Sequence, residues 1–181
     1  GASPEPVSIE ISDNGVTFHD ATNLWGADVY ETEERISGDL PLKKSGIISI
    51  GPAGENLVKF ATIANNKWRC AGRSGVGAVM GSKKVKALVF HGEKRREVAD
   101  PQAEKEFARE WAQKAKDHPV VAFFKNSGTP GLVSIINKIG AFPSRYWSAG
   151  TADHWEKISA DTLHSEYSVT PTACNRCFMA C

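Results

Sequence analysis

The sequence predicts an α+β fold, an N-terminal β-sheet domain followed by the start of an α-helical one. Three observations predict it. Alternating apolar and polar residues recur up to about residue 92. A four-residue apolar spacing takes over from Asp100 onward. A glycine-rich stretch, containing Gly72, Gly75, Gly77 and Gly81, joins two of the predicted strands. The change of period falls in the mixed-charge run at residues 93–98, which reads as a solvated linker and divides the chain into domains over 1–95 and 96–181.

The first element is a strand over residues 7–11, where Val7, Ile9 and Ile11 alternate with polar residues. Asn14-Gly15 is a hairpin turn signal, and residues 16–20 supply the partner strand. Asp28 and Glu31 are spaced as a capping box opening a short helix that Gly38 closes. Residues 46–51, 56–64 and 85–92 read as three further strands. A short helix is expected near residues 76–81.

In the second half, Asp100 is an N-cap and Pro101 occupies the first helical position. Ala103, Phe107, Trp111 and Ala115 form one apolar stripe. His118-Pro119 ends that helix, and a second helix covers residues 119–126. Thr129-Pro130 opens another, with Leu132, Val133, Ile135, Ile136 and Ile139 expected to be buried and Gly140 as its stop. Residues 142–150 are a loop, and residues 159–167 a short helix leading into the cysteine segment. Trp25, Tyr146, Trp147 and Trp155 read as packing residues.

Composition excludes several classes of function. The chain has 181 residues, 41% hydrophobic and 24% charged, with a formal net charge of +1. That balance gives no electrostatic case for nucleic acid. The longest apolar runs are far shorter than the ~20 residues a membrane span needs. No secretory leader is visible, and clustered reduced thiols fit a cytoplasmic location. With no initiator Met and a candidate ligand as its last residue, the chain reads as an internal segment of a longer protein. The 181-residue segment is expected to fold poorly alone, because the apolar stripes of its helices from Asp100 onward would find their partners outside it.

Two motifs carry chemistry. Residues 69–90 combine the four glycines with Arg69, Arg73, Lys83, Lys84 and Lys86. Glycine lets backbone N–H groups approach an anion, and arginine grips phosphate in a bidentate fork. The order Gly81-Ser82-Lys83 is not that of a P-loop, and Met80 stands where a dinucleotide fingerprint needs its third glycine. A plain glycine-rich turn with solvated lysines therefore stands beside the phosphate-binding reading.

The second motif is C-x2-C-x3-C, formed by Cys174, Cys177 and Cys181. Three soft ligands close in sequence suit a cubane iron–sulfur cluster, whose fourth ligand commonly comes from elsewhere in the chain. Phe178 follows Cys177 where c-type haem attachment needs His, and the spacing is not that of a bacterial ferredoxin. Structural zinc is the alternative, although no second CxxC or paired His lies nearby. Cys70 is the one other cysteine in the chain, and a ligand beyond residue 181 is preferred to it as the fourth. The five histidines show no ligand spacing.

Taken together, "DATNLWGADVYETEE", "IGPAGENLVKFATIAN", "RCAGRSGVGAVMGSKKVKALV" and "CNRCFMAC" resemble, in that order, the tungsten- or molybdenum-containing aldehyde:ferredoxin oxidoreductases. The resemblance implies a pair of β-sheets forming a base beneath a bis-pterin cofactor, with helical domains covering it. It implies that Arg69, Cys70, Ala71, Gly72, Arg73, Ser74, Gly75 and Gly77 lie against the pterin phosphates and a magnesium ion bridging them. Cys70 stands where relatives often carry a small residue, and it has no assigned role of its own.

The resemblance also implies that Cys174, Cys177 and Cys181 ligate a 4Fe-4S cluster. The fourth cysteine, the D-x-x-G-L pterin motifs and the acid/base residues would lie outside this chain. The implied reaction converts an aldehyde and water to a carboxylic acid, with ferredoxin or a related protein as electron acceptor. A homodimer or added electron-transfer subunits fit the resemblance. An aromatic acyl-CoA reductase branch of the same family, or a non-catalytic iron–sulfur or zinc module, is the alternative.

Overall fold

The computed structural model describes residues 1–39, 45–94, 97–174 and 177–181. Part of the 93–98 linker and residues 175–176 of the cysteine segment lie outside the described residues. The chain divides into two compact units, Gly1–Arg96 and Glu97–Cys181.

The first unit is built on a six-stranded mixed sheet in the order β2-β1-β6-β3-β4-β5. Its strands are β1 (Val7–Ser12), β2 (Gly15–Asp20), β3 (Ser45–Ser49), β4 (Ile63–Asn65), β5 (Arg69–Ala71) and β6 (Val85–His91). β6 runs parallel to β1 and antiparallel to β3. Where the resemblance implies two sheets, the described residues of this unit form one. The β1–β2 register pairs Ser12 with Gly15, so the turn residues are Asp13 and Asn14 rather than Asn14-Gly15. Asp13 anchors the turn by accepting hydrogen bonds from the backbone N–H groups of Glu93 (2.6 Å) and Lys94 (3.2 Å).

Helix α1 (Val29–Asp39) starts at Asp28, whose Oδ1 accepts from the Tyr30 and Glu31 N–H groups, each at 2.9 Å. The reciprocal half of the expected capping box is not made, because Glu31 instead pairs with Arg35 one turn on. Ile36 of α1 packs with Ala21, Leu24, Ile47, Ala87 and Val89 to form the core on one face of the sheet. Burying an Ile in this way contributes about 1.5–3 kcal/mol.

The strand expected over 56–64 is mostly something else. Pro52 at the first helical position opens a four-residue helix, α2 (Pro52–Glu55), and Leu57 turns the chain with φ of 57°. Only the tail of the expected strand survives, as β4. β5 was hidden within the glycine-rich stretch. The last helix of this unit, α3 (Val76–Ser82), lies where the sequence places it.

The second unit follows its caps. In α4 (Pro101–Lys116), Asp100 Oδ1 accepts from Gln102 N (3.1 Å) and Ala103 N (2.9 Å). In α5 (Pro119–Ser127), His118 Nδ1 accepts from Val120 N at 3.2 Å. A 3-10 turn at Thr129–Gly131 leads into α6 (Leu132–Lys138), and Ser159 caps α7 (Ala160–Glu166). The burial expected in and just after α6 is overturned: Ile135 and Ile139 are exposed, and Leu132, Val133 and Ile136 are only half-buried. Asn137 is the buried residue, because its Oδ1 accepts the Ala152 N–H at 2.7 Å. Tyr146 and Trp147, read as packing residues, are also exposed, on consecutive left-handed backbone positions.

Candidate functional site

The glycine–arginine segment is held between β5 and α3. Arg69, Cys70 and Ala71 form β5, at the edge of the sheet, and all are exposed. Their register against β4 sets Ala71 opposite Ile63, Cys70 opposite Ala64 and Arg69 opposite Asn65. Asn66, in the turn between β4 and β5, ties that turn to β3: Ile47 N donates to Asn66 Oδ1 and Asn66 N donates to Ile47 O, both at 3.0 Å.

Gly72 is half-buried, while Arg73 and Ser74 are exposed. Ser74 (φ 82°) and Gly75 (φ 68°) then turn the chain through the left-handed region into α3.

The glycines serve packing first. A Cβ on Gly75 would stand 1.9 Å from the Lys59 carbonyl oxygen, and one on Gly77 would stand 2.4 Å from that of Thr62. One on Gly81 would stand 2.0 Å from the Gly54 carbonyl oxygen. α3 therefore lies with its backbone against α2 and residues 58–62. Gly77 N–H donates to Ala61 O at 3.0 Å, so it is not the anion donor that glycine spacing suggested. Among the described residues, no hydrogen bond is made by the backbone N–H groups of Arg73, Ser74, Gly75 and Val76. Those donors, beside the exposed Arg73 side chain, suit an oxyanion.

The lysines of this stretch are engaged elsewhere. Lys83 Nζ donates to Gly1 O at 3.2 Å, and Lys84 Nζ donates to Pro4 O. Lys86 is neither a solvated charge nor a phosphate ligand. It is fully buried, and its Nζ donates to Glu55 Oε1 at 2.5 Å and to Ala27 O at 2.7 Å. The other Glu55 oxygen accepts the Gly26 N–H at 2.8 Å. Sequence reading missed this pair. The available signal was a lysine inside an apolar strand run, at a position that faces into the protein.

A second cluster was also missed. Glu10 on β1 accepts from His91 Nε2 on β6 at 2.6 Å and from His19 Nε2 on β2 at 2.7 Å. The His91 hydrogen bond, followed by that of His19, holds the Glu10 carboxyl below its ordinary value. The three residues are far apart in sequence, and only strand register brings them together.

Cys174 and Cys181 are exposed, Cys177 is half-buried, and all are free thiols. The Cys177 N–H donates to the Cys174 carbonyl at 2.9 Å. Among the described residues, no group of three or more His, Cys, Asp or Glu converges on one metal position, so the trio is near in sequence without being assembled around a point. Three thiols within eight residues remain a soft, iron- or zinc-selective donor set. Cys70 belongs to the other unit.

Comparison with known proteins decides between the possible families. The family model for the N-terminal domain of aldehyde ferredoxin oxidoreductase matches residues 1–92, and that for its domains 2 and 3 matches residues 106–181. The chain belongs to the aldehyde ferredoxin oxidoreductase family. Among curated relatives, it is 43% identical to a tungsten-containing aldehyde ferredoxin oxidoreductase of Thermococcus kodakarensis, over 100% of this chain and 30% of that protein. It is 41% identical to the corresponding protein of Pyrococcus abyssi, with the same coverage.

A more distant family relative is an aliphatic sulfonate oxidoreductase, WOR-like subunit, of Pyrococcus furiosus, at 33% identity over 88% of this chain and 27% of that protein. Among solved structures, the active-site complex BamBC of benzoyl coenzyme A reductase, in complex with 1,5-dienoyl-CoA, matches with a TM-score of 0.75 at 25% identity. That match covers 99% of this chain and 29% of the solved one. The chain thus spans about a third or less of the family members it matches.

Proposed function

We propose that the whole protein oxidises aldehydes to carboxylic acids at a tungsten (or molybdenum) bis-pterin centre and passes the electrons through a 4Fe-4S cluster to ferredoxin or a related carrier. The carrying observation is the ranking of relatives: aldehyde oxidoreductases at 40–43% identity stand above a sulfonate oxidoreductase at 33%. In this reading the two domains are a pterin-base domain over 1–95 and the start of a helical domain over 96–181.

When bound, the metallopterin supplies two-electron chemistry at the carbonyl carbon and the cluster supplies single-electron transfer. This chain's residues bind and orient. Arg69 and Arg73 would grip pterin phosphate, the N–H groups of residues 73–76 would complete an anion cradle, and the segment from Arg69 through Gly77 would border a magnesium ion held with those phosphates. Cys174, Cys177 and Cys181 provide three cluster thiolates, which the reducing cytoplasm keeps competent. The structural likeness to benzoyl coenzyme A reductase supports one alternative, reduction of an aromatic acyl-CoA by the same centre.

The test is anaerobic purification of the whole protein, with metal and pterin analysis and turnover assays. Tungsten or molybdenum, four irons per cluster and aldehyde-dependent reduction of ferredoxin are expected. A colourless protein holding only zinc overturns the reading. Aromatic thioester turnover without aldehyde turnover selects the alternative.

A further inference from the structure

We infer that Glu55 and Lys86 are positioning residues for the glycine–arginine segment, an inference that rests on the phosphate-binding role proposed for that segment. The connection runs through short, direct contacts. Lys86 rises from β6 in the middle of the sheet and is fully buried. Its partner Glu55 is the last residue of α2, with a side chain only 5% exposed. One Glu55 oxygen takes the Lys86 ammonium and the other takes the Gly26 N–H, so α2 is pinned to both the sheet and the chain entering α1. The third polar contact, from Lys86 to Ala27 O, closes the network.

α2 in turn leaves α3 no freedom to slide. A Cβ on Gly54 would stand 3.0 Å from Gly77 O, and one on Gly81 would stand 2.0 Å from Gly54 O, so the two helices touch backbone to backbone in both directions. Interfaces of this kind transmit displacement because they cannot deform continuously. α3 begins at Val76, directly after the donors at Arg73, Ser74 and Gly75. A buried ion pair is a costly way to hold a four-residue helix, since apolar residues of similar volume often stabilise as well or better. What the pair adds is direction: a charge-assisted hydrogen bond to one Glu55 oxygen, with the Gly26 N–H on the other, fixes where α2 sits, and through α2 where the anion donors lie.

The test compares the whole protein with Glu55→Gln and with the double variant Glu55→Met, Lys86→Met. The double variant removes both charges together, so it keeps a neutral interior. Amide hydrogen exchange at residues 72–78 is expected to quicken about tenfold in both variants. Exchange in β2, the outer strand of the β1–β2 hairpin, should not change, because β2 pairs with β1 alone and not with β6. Tungsten and pterin per chain are expected to fall several-fold while iron is retained, and an Ile47→Ala control of similar thermal loss should keep its pterin.

If residues 72–78 exchange at the wild-type rate in the double variant, or quicken only in step with β2, the positioning role is wrong and the pair is simply structural. A wild-type protein without tungsten or pterin would sink the proposed function instead, and exchange at Gly77 and Ala78, whose N–H groups donate to Ala61 O and Gly75 O, would still decide the mechanical claim.

Discussion

The two units reach their folds by different means. In Gly1–Arg96 the elements are fixed by what they bury: a core of Ala21, Leu24, Ile36, Ile47, Ala87 and Val89, and the Lys86–Glu55 pair opposite. In Glu97–Cys181 the described buried residues are Asn137, Ser159 and Ala160, while Phe107, Trp111, Ile135, Ile139 and Trp147 are exposed. Helix there is specified by end signals such as Asp100, His118 and Ser159, each accepting a hydrogen bond from a first-turn N–H. Caps say where a helix starts and stops; they do not say what covers its apolar stripe. The difference teaches that correct helix boundaries are no guide to whether a unit holds a core.

Substitutions can break this contrast. The largest effect is expected at Lys86→Ala, which leaves the Glu55 carboxylate buried without its cation and should cost about 3–5 kcal/mol of stability by chemical denaturation. Next comes a matched pair. Ile47→Ala, in the core of the first unit, should cost about 2–5 kcal/mol. Ile139→Ala, at a position 71% exposed in the second unit, should stay within about 0.5 kcal/mol. Equal losses at the two sites would erase the distinction between the units.

The smallest effect sharpens the picture within the sheet. Hydrogen bonds from His91 and His19 lower the Glu10 pKa from 4.5, so the folded state prefers the ionised carboxylate. That contribution is complete above about pH 4.5 and disappears as pH falls through the lowered folded value. The stability difference between wild type and Glu10→Gln should therefore be largest near neutrality and shrink below that pH. A difference that grows on acidification would show that the hydrogen bonds do not favour the charged form.

Much of this was legible in the sequence, for reasons that differ by element. β1, β2, β6 and α4 were readable because alternation or capping is a local signal. α2 and β5 were not: one is four residues and the other three, too short for any period to register. The strand expected over 56–64 failed because its apolar residues were read as strand while Pro52 and the left-handed Leu57 redirected the chain. In the candidate site, the segment from Arg69 to Gly77 and the cysteines Cys174, Cys177 and Cys181 were visible as motifs. The glycines' actual partners were not, since the Lys59, Thr62 and Gly54 carbonyls carry no side-chain signature. The Glu10, His19 and His91 cluster lies wholly in register, which residue identity alone does not encode.

The strand order has a consequence for how the chain folds. β6 is the last strand of its unit in sequence yet sits between β1 and β3, pairing with both. The hairpin of β1 and β2 and the run β3-β4-β5 each form from near neighbours, but neither touches the other until residues 85–91 arrive to join them. During synthesis the sheet stays in two halves with apolar edges open until nearly the whole unit has emerged, and its closure waits on long-range contacts that carry the loop-closure cost. Lys86 is the second residue of that closing strand, so the ion pair forms only when the two halves are joined.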